Sequence, residues 1–224
     1  MGQSTGRARR PEQKAERRQQ ILAAARDLLG EVPYGELRMA GLAGRLGLAK
    51  GTPYLYFATK ESLFIALLEE ELSAWFDQVD GALAGGGPGP ARLPGMLSRT
   101  VAGRPLLRRL LVLLHGVLEE NVGLAEARAF KRFLLARVTF TGSRLEAALP
   151  GLGSGGGARL LLRLHALVIG AQSMSDASPV VRRVLRDEAL SVLDVDFEPF
   201  LGSALADLLA GATRARRPRK KGNP

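Results

Sequence analysis

Residues 37–64 read LRMAGLAGRLGLAKGTPYLYFATKESLF. Leu42, Ala43 and Leu46 give a short apolar helical face, and Gly47 stops it. Pro53 has no N–H and is tolerated only in the first turn of a helix, so a second short helix is predicted to begin at 49–52 and to run to about 57. A short helix, a glycine-containing turn and another short helix describe a helix-turn-helix, whose second helix enters the major groove of DNA with its N-terminal residues toward base edges.

The residue types in that second helix suit a polyanion. Lys50 and Thr52 supply donors, Gly51 lets backbone approach another surface, and Tyr54 and Tyr56 carry hydroxyls on rigid arms that reach phosphate oxygens. Phe57 is expected to turn inward. Thr59 is a good N-cap for a following helix, and Lys60 on its first turn adds a cation to a helix N-terminus, a combination that binds phosphate.

Outward from this stretch, the helical period persists and no alternating strand pattern occurs, so the chain is read as all-α. Helices are predicted at 12–30, 39–46, 50–57, 60–83, 91–102, 105–122, 125–148, 157–177, 180–192 and 196–211. Phe64, Leu68, Leu72, Phe76, Val79 and Leu83 stripe the long 60–83 segment, making it a candidate rigid link between an N-terminal and a C-terminal unit. Phe197, Phe200, Leu201, Ala204, Leu205, Leu208 and Leu209 stripe the last helix, while 160–169 is apolar almost all round, as in a helix covered on several sides. Two glycine-rich stretches, AGGGPGP at 84–90 and PGLGSGGG at 150–157, read as mobile connectors: neither follows a strand or carries the lysine of a phosphate loop.

The 224 residues carry a net charge of +10, with 46% apolar residues, enough to bury a substantial core. The charge sits at the ends. Residues 1–20 hold six basic and two acidic side chains, residues 212–224 six basic and none acidic, and the intervening residues 20 of each sign. Basic ends of this kind act as electrostatic arms toward polyanions. Without cysteine there is no disulfide, thiolate nucleophile or cysteine metal site, and only two histidines, His115 and His165, are present. No nucleotide or nucleophile motif occurs, so neither an enzyme nor a cofactor or metal is expected. The N-terminus lacks an apolar signal core and no uncharged membrane-length run exists, so a cytoplasmic protein, nucleoid-associated through DNA, is expected.

Residues 17–70 resemble the N-terminal DNA-binding domain of the tetracycline-repressor (TetR) family of bacterial regulators. The resemblance lies in the alanine-rich first helix ending in Leu28-Leu29, the Leu42-Ala43 pair, Gly47, Lys50-Gly51-Thr52, Tyr54, Tyr56-Phe57 and Lys60-Glu61. It implies that 50–56 reads the major groove, with Lys50, Gly51, Pro53 and Leu55 nearest bases, and that Thr52, Tyr54, Tyr56 and Lys60 grip phosphates. Arg38 and Met39, at the start of the preceding helix, would touch backbone and one base. Arg38 and Ala49 depart from the family's capping Thr and Ser, and Arg38 would then substitute a charged phosphate contact.

The charge distribution marks a flexible basic arm at 1–16 and a basic disordered tail at 212–224, and the resemblance implies a DNA-binding domain at 17–60 and a ligand-binding and dimerisation domain at 61–211. The expected protein is a homodimer on a palindromic operator, repressing transcription until released by a small apolar or amphipathic inducer. The inducer would be enclosed by segment 91–178, with Trp75, Met96, His115, Asn121, Phe130, Phe133, His165, Gln172 and Met174 as candidate lining groups. The alternative is a non-specific DNA-binding protein that uses its basic tails.

Overall fold

The computed structural model describes residues 5–214, with side chains for 11–211. Helix α1 (Thr5–Glu31) presents Ile21, Leu22, Ala25 and Leu29 on one buried stripe and stops where Pro33 forces extended backbone. The predicted arm at 1–16 is therefore helical from Thr5 onward, and residues 1–4 lie outside the described residues. Helix α2 (Met39–Arg45) ends in a Schellman motif: Gly47 takes φ +64°, the Leu48 N–H donates to Ala43 O at 2.9 Å and the Gly47 N–H to Gly44 O at 3.1 Å. Gly47 is required there because a side chain at positive φ is strained.

The predicted helix at 50–57 is a 3-10 turn over Thr52–Leu55. Pro53 cannot donate to Ala49 O, which instead takes the Thr52 N–H at 2.9 Å, and Tyr54 N–H follows the same tight pattern to Gly51 O at 3.2 Å. Helix α3 (Lys60–Leu83) then starts from its predicted cap, with Ser62 N–H donating to Thr59 Oγ1 at 3.0 Å.

The remaining helices are α4 (Leu93–Ala102), α5 (Pro105–Leu113), α6 (Leu124–Ala148), α7 (Gly156–Ser175), α8 (Pro179–Val184) and α9 (Phe197–Arg214). Among the described residues there is no strand. The predicted helix at 105–122 loosens after Leu113 into a π-turn at Leu114–Leu118 and a 3-10 turn at Glu119–Asn121. That at 180–192 breaks after Val184 and resumes as a 3-10 turn at Glu188–Leu193, where Asp187 accepts from the Ala189 N–H. The last helix reaches 214, so 212–214 are not tail, and 215–224 lie outside the described residues.

The chain forms two compact units, and their borders differ from the predicted 17–60 and 61–211. The first comprises the described residues up to 71 together with 113–130. Its core joins Ile21, Leu22, Leu29, Leu42, Phe57, Leu67 and Leu68 with Leu114, Leu118 and Phe130. Ser62 Oγ donates to Glu126 Oε2 at 2.6 Å, fastening the 113–130 segment to the start of α3.

The second unit comprises 72–112 and the described residues from 131 onward. Here α9 packs on α4 and α7, burying Phe197, Leu201, Leu205 and Leu209. The expected connector at 150–157 is partly helix: Gly156 and Gly157 are buried in the first turn of α7. A Cβ on Gly157 would lie 1.9 Å from Gly142 O, so α6 and α7 meet backbone to backbone. The Gly157 N–H is taken up by Glu146 Oε1 at 3.0 Å, which satisfies one orphan donor of α7. Helix α7 is not covered all round by the described residues, since Leu162 and Met174 face solvent.

Candidate nucleic-acid interface

The 3-10 turn is held from beneath and open above. Pro53 and Phe57 are buried, and the Arg18 guanidinium stacks 5.0 Å from the Phe57 ring centroid. Tyr54 is 53% and Leu55 76% exposed, Lys50 and Gly51 are exposed, and Thr52 and Tyr56 are half-buried. An exposed leucine and tyrosine side by side on a tightly hydrogen-bonded backbone form a presented surface, because burying them would have been favourable had the fold allowed it.

Two of the residues expected to touch DNA are core instead. Met39 is 5% exposed: as the first residue of α2 it points back against α1 and α3, lining a small half-open pocket with Ala25, Leu28, Leu42, Leu63 and Phe64. Pro53 packs its ring inward, where its missing N–H leaves no donor unsatisfied.

Lys60 also departs from expectation. Its Nζ donates to Tyr34 O at 3.1 Å and Leu37 O at 3.3 Å and lies 3.9 Å from the Tyr34 ring centroid, so two of the three ammonium donors are taken up by the turn at Tyr34–Glu36 and its following residue. Burial lowers its pKa, with Arg38 adding to the effect and Glu61 opposing it. Tyr34 itself donates from its hydroxyl to Glu61 Oε1 at 2.8 Å and packs edge-on against Phe64, and burial raises its pKa, helped by Glu61. Arg38 stays exposed, but its Nη1 donates to Gly35 O and Leu37 O, and it makes no side-chain cap on α2.

The flank of this surface belongs to the basic N-terminal run that the sequence marks as an electrostatic arm. Gln13, Lys14, Glu16, Arg17 and Gln20 of α1 line an open groove together with Tyr56. The spacing of Gln13, Lys14, Arg17 and Gln20 puts them on one helix face, and only the packed chain sets that face beside Tyr56. On the far side, Arg45 forms a two-pronged pair with Glu31 at 2.8 Å for each bond, which holds the Glu31 carboxyl below its ordinary pKa.

The expected inducer residues are divided between the units. In the first, Phe130 is core, His115 is exposed and pairs with Glu119 at 3.2 Å, and Asn121 is exposed, donating from Nδ2 to Val117 O. In the second, Trp75 is core, with Nε1 donating to Thr100 Oγ1 at 3.1 Å. Met96, Phe133, His165 and Gln172 are half-buried, and Met174 is 52% exposed. Gln172 Oε1 is buried and makes no hydrogen bond among the described residues. Among those residues no group of three His, Asp or Glu side chains is placed to hold a metal, and no helix is long and apolar enough to cross a membrane.

Residues 21–67 match the family described as bacterial regulatory proteins, tetR family, and residues 69–216 match the tetracyclin repressor-like C-terminal domain. The fatty acid metabolism regulator protein of Bacillus subtilis (strain 168) is 32% identical over 68 residues, 30% of this chain and 35% of the relative. The uncharacterized HTH-type transcriptional regulator YvdT of the same organism is 33% identical over 75 residues, 34% of this chain and 39% of the relative. The matches thus span little more than a third of these relatives. Among solved structures, Mycobacterium smegmatis AmtR is 26% identical, with 90% of this chain and 96% of that chain covered at a TM-score of 0.48. With family matches to both the DNA-binding and the C-terminal region, the chain belongs to the TetR family of DNA-binding transcriptional regulators, a family of regulators and not of enzymes.

Proposed function

We propose that the chain is a bacterial, cytoplasmic repressor that binds a palindromic operator as a homodimer and is released by a small apolar or amphipathic inducer. The observation that carries the reading is the turn at Thr52–Leu55: Tyr54 and Leu55 project from it while Pro53 and Phe57 anchor it. In this reading Lys50, Gly51 and Leu55 approach base edges, while Thr52, Tyr54 and Tyr56 hold phosphates with help from Lys14 and Arg17 across the groove. Arg38, already bound to carbonyls of its own turn, offers its remaining guanidinium donors to the DNA backbone.

The exposed Leu162 and Met174 on α7 and Phe200 on α9 support the homodimer, since large apolar side chains left on the surface of the second unit favour contact with a second copy. Two-fold related turns would meet DNA about 34–36 Å apart or at a multiple of that spacing. The inducer acts by binding more tightly to a dimer whose spacing no longer fits. Gln172, whose buried Oε1 makes no hydrogen bond among the described residues, is a polar group of the second unit suited to meet it.

Selection of the purified protein against randomised duplex DNA at moderate salt tests the reading. A two-fold symmetric motif, bound roughly a thousandfold more tightly than random sequence, is expected. Strong binding with no enriched motif would overturn it in favour of a non-specific DNA-binding protein working through its basic ends.

A further inference from the structure

We propose that Lys60 is a positioning residue that fixes the start of α2, and with it the DNA-reading turn, by gathering the carbonyls of the Tyr34–Leu37 turn around its ammonium. The inference rests on the reading that the Thr52–Leu55 turn faces DNA.

The geometry is that of a clasp closed from both sides. From α3, Lys60 Nζ reaches Tyr34 O at 3.1 Å and Leu37 O at 3.3 Å over the Tyr34 ring, and the next residue, Glu61, accepts the Tyr34 hydroxyl at 2.8 Å. From α2, Arg38 donates to Gly35 O and Leu37 O of the same turn. Hydrogen bonds from a charged donor are roughly twice as strong as neutral ones, and a cation over an aromatic face adds to them. The turn has little else to hold it. Its backbone bonds are the Glu36 N–H to Pro33 O and Leu37 N–H to Tyr34 O, and of residues 33–37 only Leu37 is buried. Because Leu37 and Arg38 lead directly into α2, releasing the clasp frees the entry of that helix, against which the reading turn packs. Lys60 therefore serves DNA recognition from inside the protein.

Lys60→Met keeps the length of the stem and removes the charge and the donors. In the free protein, hydrogen exchange at the Glu36, Leu37 and Leu42 amides should rise about tenfold, while the Ser62 amide, capped by Thr59, stays protected. Should Lys60→Met fold poorly, Tyr34→Phe removes only the bond to Glu61 and should loosen the same three amides about threefold. On the selected operator, Lys60→Met should weaken binding about tenfold with an unchanged slope of log affinity against log salt.

Unchanged exchange at the three amides in both variants would overturn the clasp. A salt slope lowered by about 0.9, with equal loss on random DNA, would return Lys60 to the phosphate contacts. If the unmodified protein does not distinguish operator from random DNA, the regulator reading fails, and the exchange experiment still decides the clasp.

Discussion

The reading turn and the α6–α7 crossing are both built on glycine and small residues, and they use them in opposite ways. At Lys50–Tyr56, Gly51 has open space around it and Tyr54 and Leu55 stand outward, so the missing side chain leaves a surface open to the outside. At Gly142 and Gly157 the missing side chains are filled by the facing backbone, and nothing is presented. A glycine in a sequence signals close approach without saying to what. Around Gly51 the tyrosines and lysine suit an outside partner, whereas the run PGLGSGGG gives no hint that its last glycine packs against the backbone of Gly142.

The contrast is tested most severely at the anchor of the turn. Phe57→Ala should cost about 3–5 kcal/mol of stability in urea unfolding and abolish DNA binding, whereas Leu55→Ala, two residues away, should stay within about 0.5 kcal/mol of the parent and lose only affinity. Similar stability loss in both would mean that the turn is core and not a presented surface. At the crossing, Gly157→Ala should destabilise by roughly 1–3 kcal/mol, although glycine to alanine inside an exposed helix stabilises by about 1. A gain in midpoint would show that α6 and α7 separate easily.

Lys50→Ala should reduce the salt slope by about 0.9 and relax preference at one base pair, read from a second round of selection. An altered affinity with the base preference intact would move Lys50 to the backbone contacts.

The smallest effect concerns Glu69. Burial raises its pKa above the ordinary 4.5, Arg18 opposes this and Glu126 adds to it. A raised carboxyl contributes stability that is fully present below pH 4.5 and lost as pH rises through the folded value. Glu69→Gln should therefore melt about 1–2 °C above the parent at pH 7, with the gap closing below pH 4.5. A gap that persists in acid would assign the gain to packing.

The sequence by itself determined the helical class, the Gly47 stop, the Thr59 cap, the inward Phe57 and the location of the reading turn, because each depends on local chemistry within about four residues: a positive φ, a side-chain cap, a proline without N–H. Tertiary structure alone decided what depends on neighbours far along the chain. It turned Met39 into the core between α1 and α3, drew the Lys60 ammonium to carbonyls 23 and 26 residues back, and joined 113–130 to the first unit through Ser62 and Glu126. It also scattered the expected inducer residues over two units, since a histidine or methionine in a leucine-rich helix has the same spacing whether it meets a ligand, the core or solvent. A charged donor goes to the nearest unsatisfied acceptors, and only the packed chain specifies where those are.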